Sequence, residues 1–151
     1  MAVVGYVRKD DILVPKGIYP APPIITVPAA TPRAVVAELD AAFALFWVDL
    51  SSCANKIRVS LERLLDSLGL SELPPLAKRI ESIQGADNLR SEVFHALREV
   101  GNVGSHGSGV RREVVLNAFE IYEHQLDLLF RPSDGLRIET LAKKIRATKG
   151  K

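Results

Sequence analysis

The chain has 151 residues, of which 47% are hydrophobic and 25% charged, with a formal net charge of +2. This length and composition suit one globular domain with its own core and exclude a disordered chain. The single cysteine, Cys53, excludes an internal disulfide, and no run approaches the roughly 18 unbroken apolar residues of a membrane span.

The N-terminus carries Arg8, Lys9, Asp10 and Asp11 where a signal peptide would be apolar. With one cysteine and no leader pattern, a reducing, cytoplasmic setting is expected. Residues 1–32 read as a proline-rich arm. Pro15, Pro20, Pro22, Pro23, Pro28 and Pro32 forbid helix and favour polyproline or edge-strand backbone. The pieces Ala2–Val7 and Ile24–Val27 are candidates for short strands, too apolar for a free linker, so the arm is expected to lie on its own domain or on a partner.

The main helical domain is expected over 33–131. Its first helix starts at Thr31-Pro32, with threonine as N-cap and proline at the first helical position, and runs to about Val48. Asp49 caps the second helix, where Leu50, Cys53, Ala54, Ile57, Leu61, Leu64, Leu65 and Leu68 recur at three- and four-residue spacing and Gly69 is the stop. Cys53 on this apolar face reads as a small packed hydrophobe. Arg58 and Glu62 sit four apart at its margin, spaced for a partly buried ion pair.

A short helix follows over about Pro75–Ile83. Asp87 caps the fourth helix, with Leu89, Val93, Ala96, Leu97 and Val100 expected inward. The fifth runs from about Arg111 to Phe130, with Val114, Val115, Ala118, Ile121, Tyr122, Leu126 and Leu129 inward and Gln125 among them in need of a hydrogen bond. Residues 132–151 form a basic amphipathic tail. From Leu136 onward there are six basic residues against Glu139, leaving 14 basic and 17 acidic residues in positions 1–135. Lys143, Lys144 and Arg146 are therefore the candidate nucleic-acid contacts, whereas the body lacks the basic excess of a strong nonspecific binder.

The segment with chemical potential is Leu97 to His106. In a continuous helix Arg98, Asn102 and His106 share one stripe, and an arginine, an amide and an imidazole in a row can hold a phosphate and move a proton. Gly101 and Gly104 indicate either a helix break or a very close approach of another backbone. The bland alternative is that Asn102 and His106 merely satisfy backbone groups around a glycine turn. Three histidines and one cysteine lack metal-ligand spacing, and neither a P-loop nor a Gly-x-Ser-x-Gly elbow is present. No metal or cofactor is expected.

The stretch "LREVGNVGSH", the Arg-x-x-x-Glu in "CANKIRVSLERLL" and the lead-in "YPAPPIITVPAATP" together resemble the HEPN-like domain of unknown function 4145 found in restriction-endonuclease and prokaryotic defence proteins. The resemblance covers about residues 18–130. It implies an all-α HEPN-like bundle of about five helices, frequent homodimerisation, a protein partner in a defence or restriction system, and RNA as a candidate ligand, with Arg58, Glu62 and Gly101 as family-motif positions. Active relatives in the wider superfamily are metal-independent ribonucleases, which implies His106 as acid/base and Arg98 as the charge stabiliser. This sequence departs from them. Seven residues separate Arg98 from His106, and Gly101 stands beside Asn102 where an active member carries arginine. The leading expectation is thus an interaction module with no or weak catalysis, and the alternative is a ribonuclease using Arg98, Asn102 and His106. If two chains pair, the glycine-flanked segment is the surface expected to be buried between them.

Overall fold

A computed structural model describes residues 1, 3–70, 75–105, 109–131 and 134–148. It is mostly helical with one small sheet. Strand β1 (Val3–Lys9) and strand β2 (Ile12–Tyr19) form an antiparallel hairpin. The reversal at Asp10-Asp11 places Asp10 at φ +56°, a left-handed conformation that aspartate tolerates better than most residues. Pro15 sits opposite Tyr6, after a register shift between Gly5 and Tyr6. A two-stranded sheet has only edges, which is where a residue without an N–H can lie in a strand. Thus the first strand expected from sequence forms, Ile12–Tyr19 forms unexpectedly, and Ile24–Val27 is not a strand. Ile24–Val27 nonetheless packs on the body: Ile25 is buried, and the Thr26 N–H donates to Glu123 Oε1 at 2.6 Å.

Helix α1 (Arg33–Leu45) buries Val35, Leu39, Ala42 and Phe43. Pro32 takes the cap position and accepts from the Val35 and Val36 N–H groups through its carbonyl. Thr31 does not cap: its hydroxyl is buried without a partner among the described residues. Helix α2 (Leu50–Ser67) has the cap that the sequence indicates, with Asp49 Oδ1 accepting from the Ser51 and Ser52 N–H groups at 2.9 and 3.2 Å. It ends at Gly69, φ +79°, a backbone that glycine adopts without strain.

Helix α2 is the central element, packed between α1 on one side and α4 (Asn88–Ser105) on the other. Helix α5 (Arg112–Phe130) closes the core with Val115, Ala118, Phe119, Tyr122 and Leu126. Phe119 belongs to this face although the sequence reading omitted it. Its ring stands 5.5 Å from Phe43 and 6.3 Å from Phe46. Buried Gln125 finds its partner in Arg90, whose Nε donates to Oε1 at 3.4 Å. Ser60 hydrogen-bonds Tyr122 at 3.1 Å inside the core.

Helix α3 (Leu76–Glu81) is held by Arg79, which is almost fully buried. Its guanidinium donates to the Leu70 carbonyl at 2.7 Å, the Glu62 carbonyl at 3.0 Å and Asp66 Oδ1 at 2.7 Å. One arginine therefore fastens α3 to the C-terminal half of α2. Helix α6 (Asp134–Ala147) forms no packed interface with any other element.

On α4 the inward face differs from expectation. Ser91, Phe94, Leu97 and Gly101 are buried, while Leu89 is 67% exposed and Val93, Ala96 and Val100 are half-buried. The core face is rotated by about one residue, or about 100°, from the aliphatic stripe. Among the described residues no helix is long and apolar enough to cross a membrane.

Candidate ligand-binding cleft between α2, α3 and α4

Four-residue spacing places Arg58 and Glu62 on one stripe of α2, and Arg98 and Asn102 on one stripe of α4. Their meeting depends on how closely the two helices approach. Helix α4 continues unbroken through Gly101 and Gly104, so the glycines are not a break. A Cβ at Gly101 would overlap the Arg58 Cβ and lie 3.1 Å from the Ala54 carbonyl oxygen. One at Gly104 would lie 2.5 Å from the Ser51 carbonyl oxygen and 3.2 Å from the Ala54 Cβ. The two glycines, one turn apart, let the backbone of α4 settle onto α2. That face is thereby occupied within the chain, which removes the reason for expecting it between two chains.

The close approach opens a cleft of about 400 Å³ beside the glycines, lined by Arg58, Glu62, Arg98 and Asn102 and walled by Pro75, Leu76 and Ala77. Arg58 Nη1 donates to Glu62 Oε1 at 2.5 Å, and both side chains are about a quarter exposed. Asn55 Oδ1 also accepts from the guanidinium at 3.4 Å. Arg58 is thus charge-compensated and held by its own helix.

Arg98 is different. It is half-buried, and among the described residues its side chain forms no ion pair or hydrogen bond; the same holds for the side-chain amide of Asn102. A partly desolvated guanidinium gains most from an anionic oxygen, which it can take in bidentate fashion. The amide beside it can donate to the same group. Among the described residues the cleft therefore has one uncompensated positive charge, one neutral donor, and a fixed ion pair as its far wall. That set suits a single phosphate or carboxylate.

The structure brings together Arg58, Glu62, Arg98 and Asn102, which the sequence placed in two separate motifs. It places Gly101 at the helix contact beneath them. His106 lies outside the described residues. Lys143, Lys144 and Arg146 are exposed on α6 and do not line the cleft, and Lys143 pairs with Glu139 at 2.6 Å. Glu99 lines a groove on the α5 side of α4. The cleft wall and the anchoring Arg79 were not read from the sequence, because a proline, a leucine, an alanine and a lone arginine carry no spacing signal.

Cys53 is fully buried, and burial, reinforced by the nearby Asp49 carboxylate, pushes its thiol up to about 12. A thiol held so far above neutrality is no nucleophile. Among the described residues no group of three or more histidine, cysteine, aspartate or glutamate side chains is placed to hold a metal ion.

Residues 40–148 match the family model of a domain of unknown function, DUF4145. No curated protein and no solved structure gives a significant match.

Proposed function

The chain belongs to the DUF4145 family, a domain of unknown function, and from that premise we propose that it is a HEPN-like helical interaction module with no or weak catalysis. In this reading it self-associates, serves a prokaryotic defence or nucleic-acid-processing system, and engages a phosphate of RNA at the cleft between α2, α3 and α4. The observation that carries the reading is the pairing of Arg98 with Asn102. Both side chains face an open cleft without a partner among the described residues, although an unpaired half-buried guanidinium is costly. A phosphate oxygen supplies the missing acceptor.

The contact at Gly101 argues for binding over cleavage. The position beside Asn102, where active relatives are expected to carry arginine, has no room even for a methyl group against Arg58. Among the described residues only one uncompensated guanidinium then faces the ligand, whereas stabilising the charge that builds up during phosphodiester attack calls for dense, preorganised donors.

Binding is measured with a fluorescently labelled single-stranded RNA in EDTA, at low and moderate salt. Arg98→Ala abolishes or strongly weakens binding while helicity is kept, and Asn102→Ala weakens it less. Unchanged affinity in Arg98→Ala removes the cleft from the reading.

The second reading, a metal-independent ribonuclease, draws on the same convergence of Arg98 and Asn102, with His106 four residues after Asn102 in the sequence. It requires the RNA to be cut in EDTA, with loss of cutting in His106→Ala and Arg98→Ala. Intact RNA after prolonged incubation at saturating protein leaves the binding module as the function.

A further inference from the structure

The stripe of α4 that was expected inward is only partly covered among the described residues. Leu89 is 67% and Val103 46% exposed, and Val93, Ala96 and Val100 between them are half-buried. Together with Ile121 of α5 they border two apolar grooves in line along the α4–α5 seam, of about 340 and 380 Å³. The core face of α4 points at α2; Val93, Val100 and Ile121 pack against the margin of that core, and the outer side of the seam, with Leu89 and Val103, stays open to solvent.

Helix α6 presents the matching feature. Its Leu141 and Ile145, one turn apart, are 43% and 62% exposed. At 1.5 Å per residue its 14 residues span about 21 Å, and the 18 of α4 about 27 Å. A helix of that length covers most of both grooves.

Charge selects the pairing. Lys144 and Arg146 lie on either side of the Leu141–Ile145 stripe, and neither forms an ion pair among the described residues. Glu99 and Glu120 line the grooves, and exposed Glu92 lies on the same margin of α4 as Glu99. None of these three carboxylates is paired among the described residues either. Arg111 and His124 also line the grooves, at the α5 side. A basic amphipathic helix and an apolar seam margined by free carboxylates are complementary in both shape and sign.

We propose that α6 of one copy docks into the α4–α5 seam of a second copy, and reciprocally, so that the exchange of two C-terminal helices forms the homodimer. This rests on the self-association in the reading above and names its surface. A reciprocal exchange is self-complementary, as a two-fold dimer requires. It buries Leu89, Val93, Leu141 and Ile145 and pairs Lys144 and Arg146 with the glutamates.

The test is light scattering of the full chain across the micromolar range, with circular dichroism as the check on folding. Lys144→Glu with Arg146→Glu weakens dimerisation by about tenfold or more, since it sets like charges against each other at a small interface. Adding Glu92→Lys and Glu99→Lys to the same chain restores it. Leu141→Glu with Ile145→Glu abolishes it while leaving helicity intact, because both positions are exposed in the single chain. A dimer indifferent to all of these variants overturns the exchanged-helix surface and leaves self-association standing. A monomer at every concentration overturns both. If that monomer shows α6 protected from hydrogen exchange, the helix lies on its own seam, and the exchange is equally ruled out.

Discussion

Gly101 lies so close under Arg58 that a methyl group added to it would overlap the arginine's Cβ. This contact joins the fold to the cleft. It sets the separation of α2 and α4, it carries Arg58 and Glu62 to within reach of the Arg98–Asn102 stripe, and it leaves position 101 unable to hold a side chain.

Gly101→Ala and Gly104→Ala should each destabilise the protein, by up to about 2 kcal/mol. Alanine recovers about 1 kcal/mol of helix propensity, but overpacking against atoms that cannot rotate away costs about 1–3 kcal/mol or more. The obstructing atoms are an arginine Cβ and a backbone carbonyl, both fixed to α2. Gly85, which has nothing within 4 Å of an added Cβ, is the control and should change by less than about 0.5 kcal/mol. Urea denaturation midpoints decide it, and a stabilised Gly101→Ala would show that the two helices can separate at little cost.

Arg79→Met should cost about 2–3 kcal/mol and loosen α3. The substitution keeps much of the apolar stem but leaves the Leu70 and Glu62 carbonyls and the Asp66 carboxylate without their donor. Denaturant unfolding gives the magnitude, and faster amide exchange over 76–81 than in the native protein shows the local effect. A variant as stable as the native chain would mean that water replaces the guanidinium at no penalty.

Asp49→Ala should remove the α2 cap and cost about 1 kcal/mol near neutral pH. The Ser52 hydroxyl, followed by the backbone N–H groups of Ser52 and Ser51, holds the Asp49 carboxyl below its ordinary value of 3.8. A lowered folded-state value means that the stabilisation is complete above about that pH and is lost as pH falls through the folded-state value. The difference between native and variant chains should therefore shrink in acid below pH 3.8. A difference that stays constant down to strongly acidic pH would assign the cap to something other than the ionised carboxylate.

Cys53 should resist alkylation by iodoacetamide at pH 8 in the folded protein and react rapidly in denaturant. Its thiol is both inaccessible and pushed up to about 12, so almost none is thiolate at that pH. Mass spectrometry after timed labelling is the readout. Prompt labelling of the folded chain would place Cys53 outside the core.

Local signals in the sequence determined much of the helical frame. The apolar period of α2, its Asp49 cap and its Gly69 stop are all read from residues within a turn or two of one another, and each is in place. The same is true of the Asp87 cap, whose carboxylate accepts from the Arg90 N–H at 2.9 Å. The start of α1 shows how local the limit is. Threonine before proline is a good cap by type, yet the cap moved one residue to the Pro32 carbonyl and the Thr31 hydroxyl was buried.

What only the tertiary structure decided is which face of α4 turns inward and what it meets. Leu89, Val93, Ala96 and Val100 make the stronger aliphatic stripe, yet Phe94, Leu97 and Gly101 face the core. Hydrophobic periodicity scores side chains, and a glycine has none to score. Its contribution is the absence of a Cβ, which matters only once another backbone lies against it. The cleft follows from the same contact. Arg58 and Arg98 are 40 positions apart in the chain, and nothing in the spacing within either helix says that α2 and α4 touch there. The two glycines do so through the distance they permit, and that distance exists only in the folded molecule.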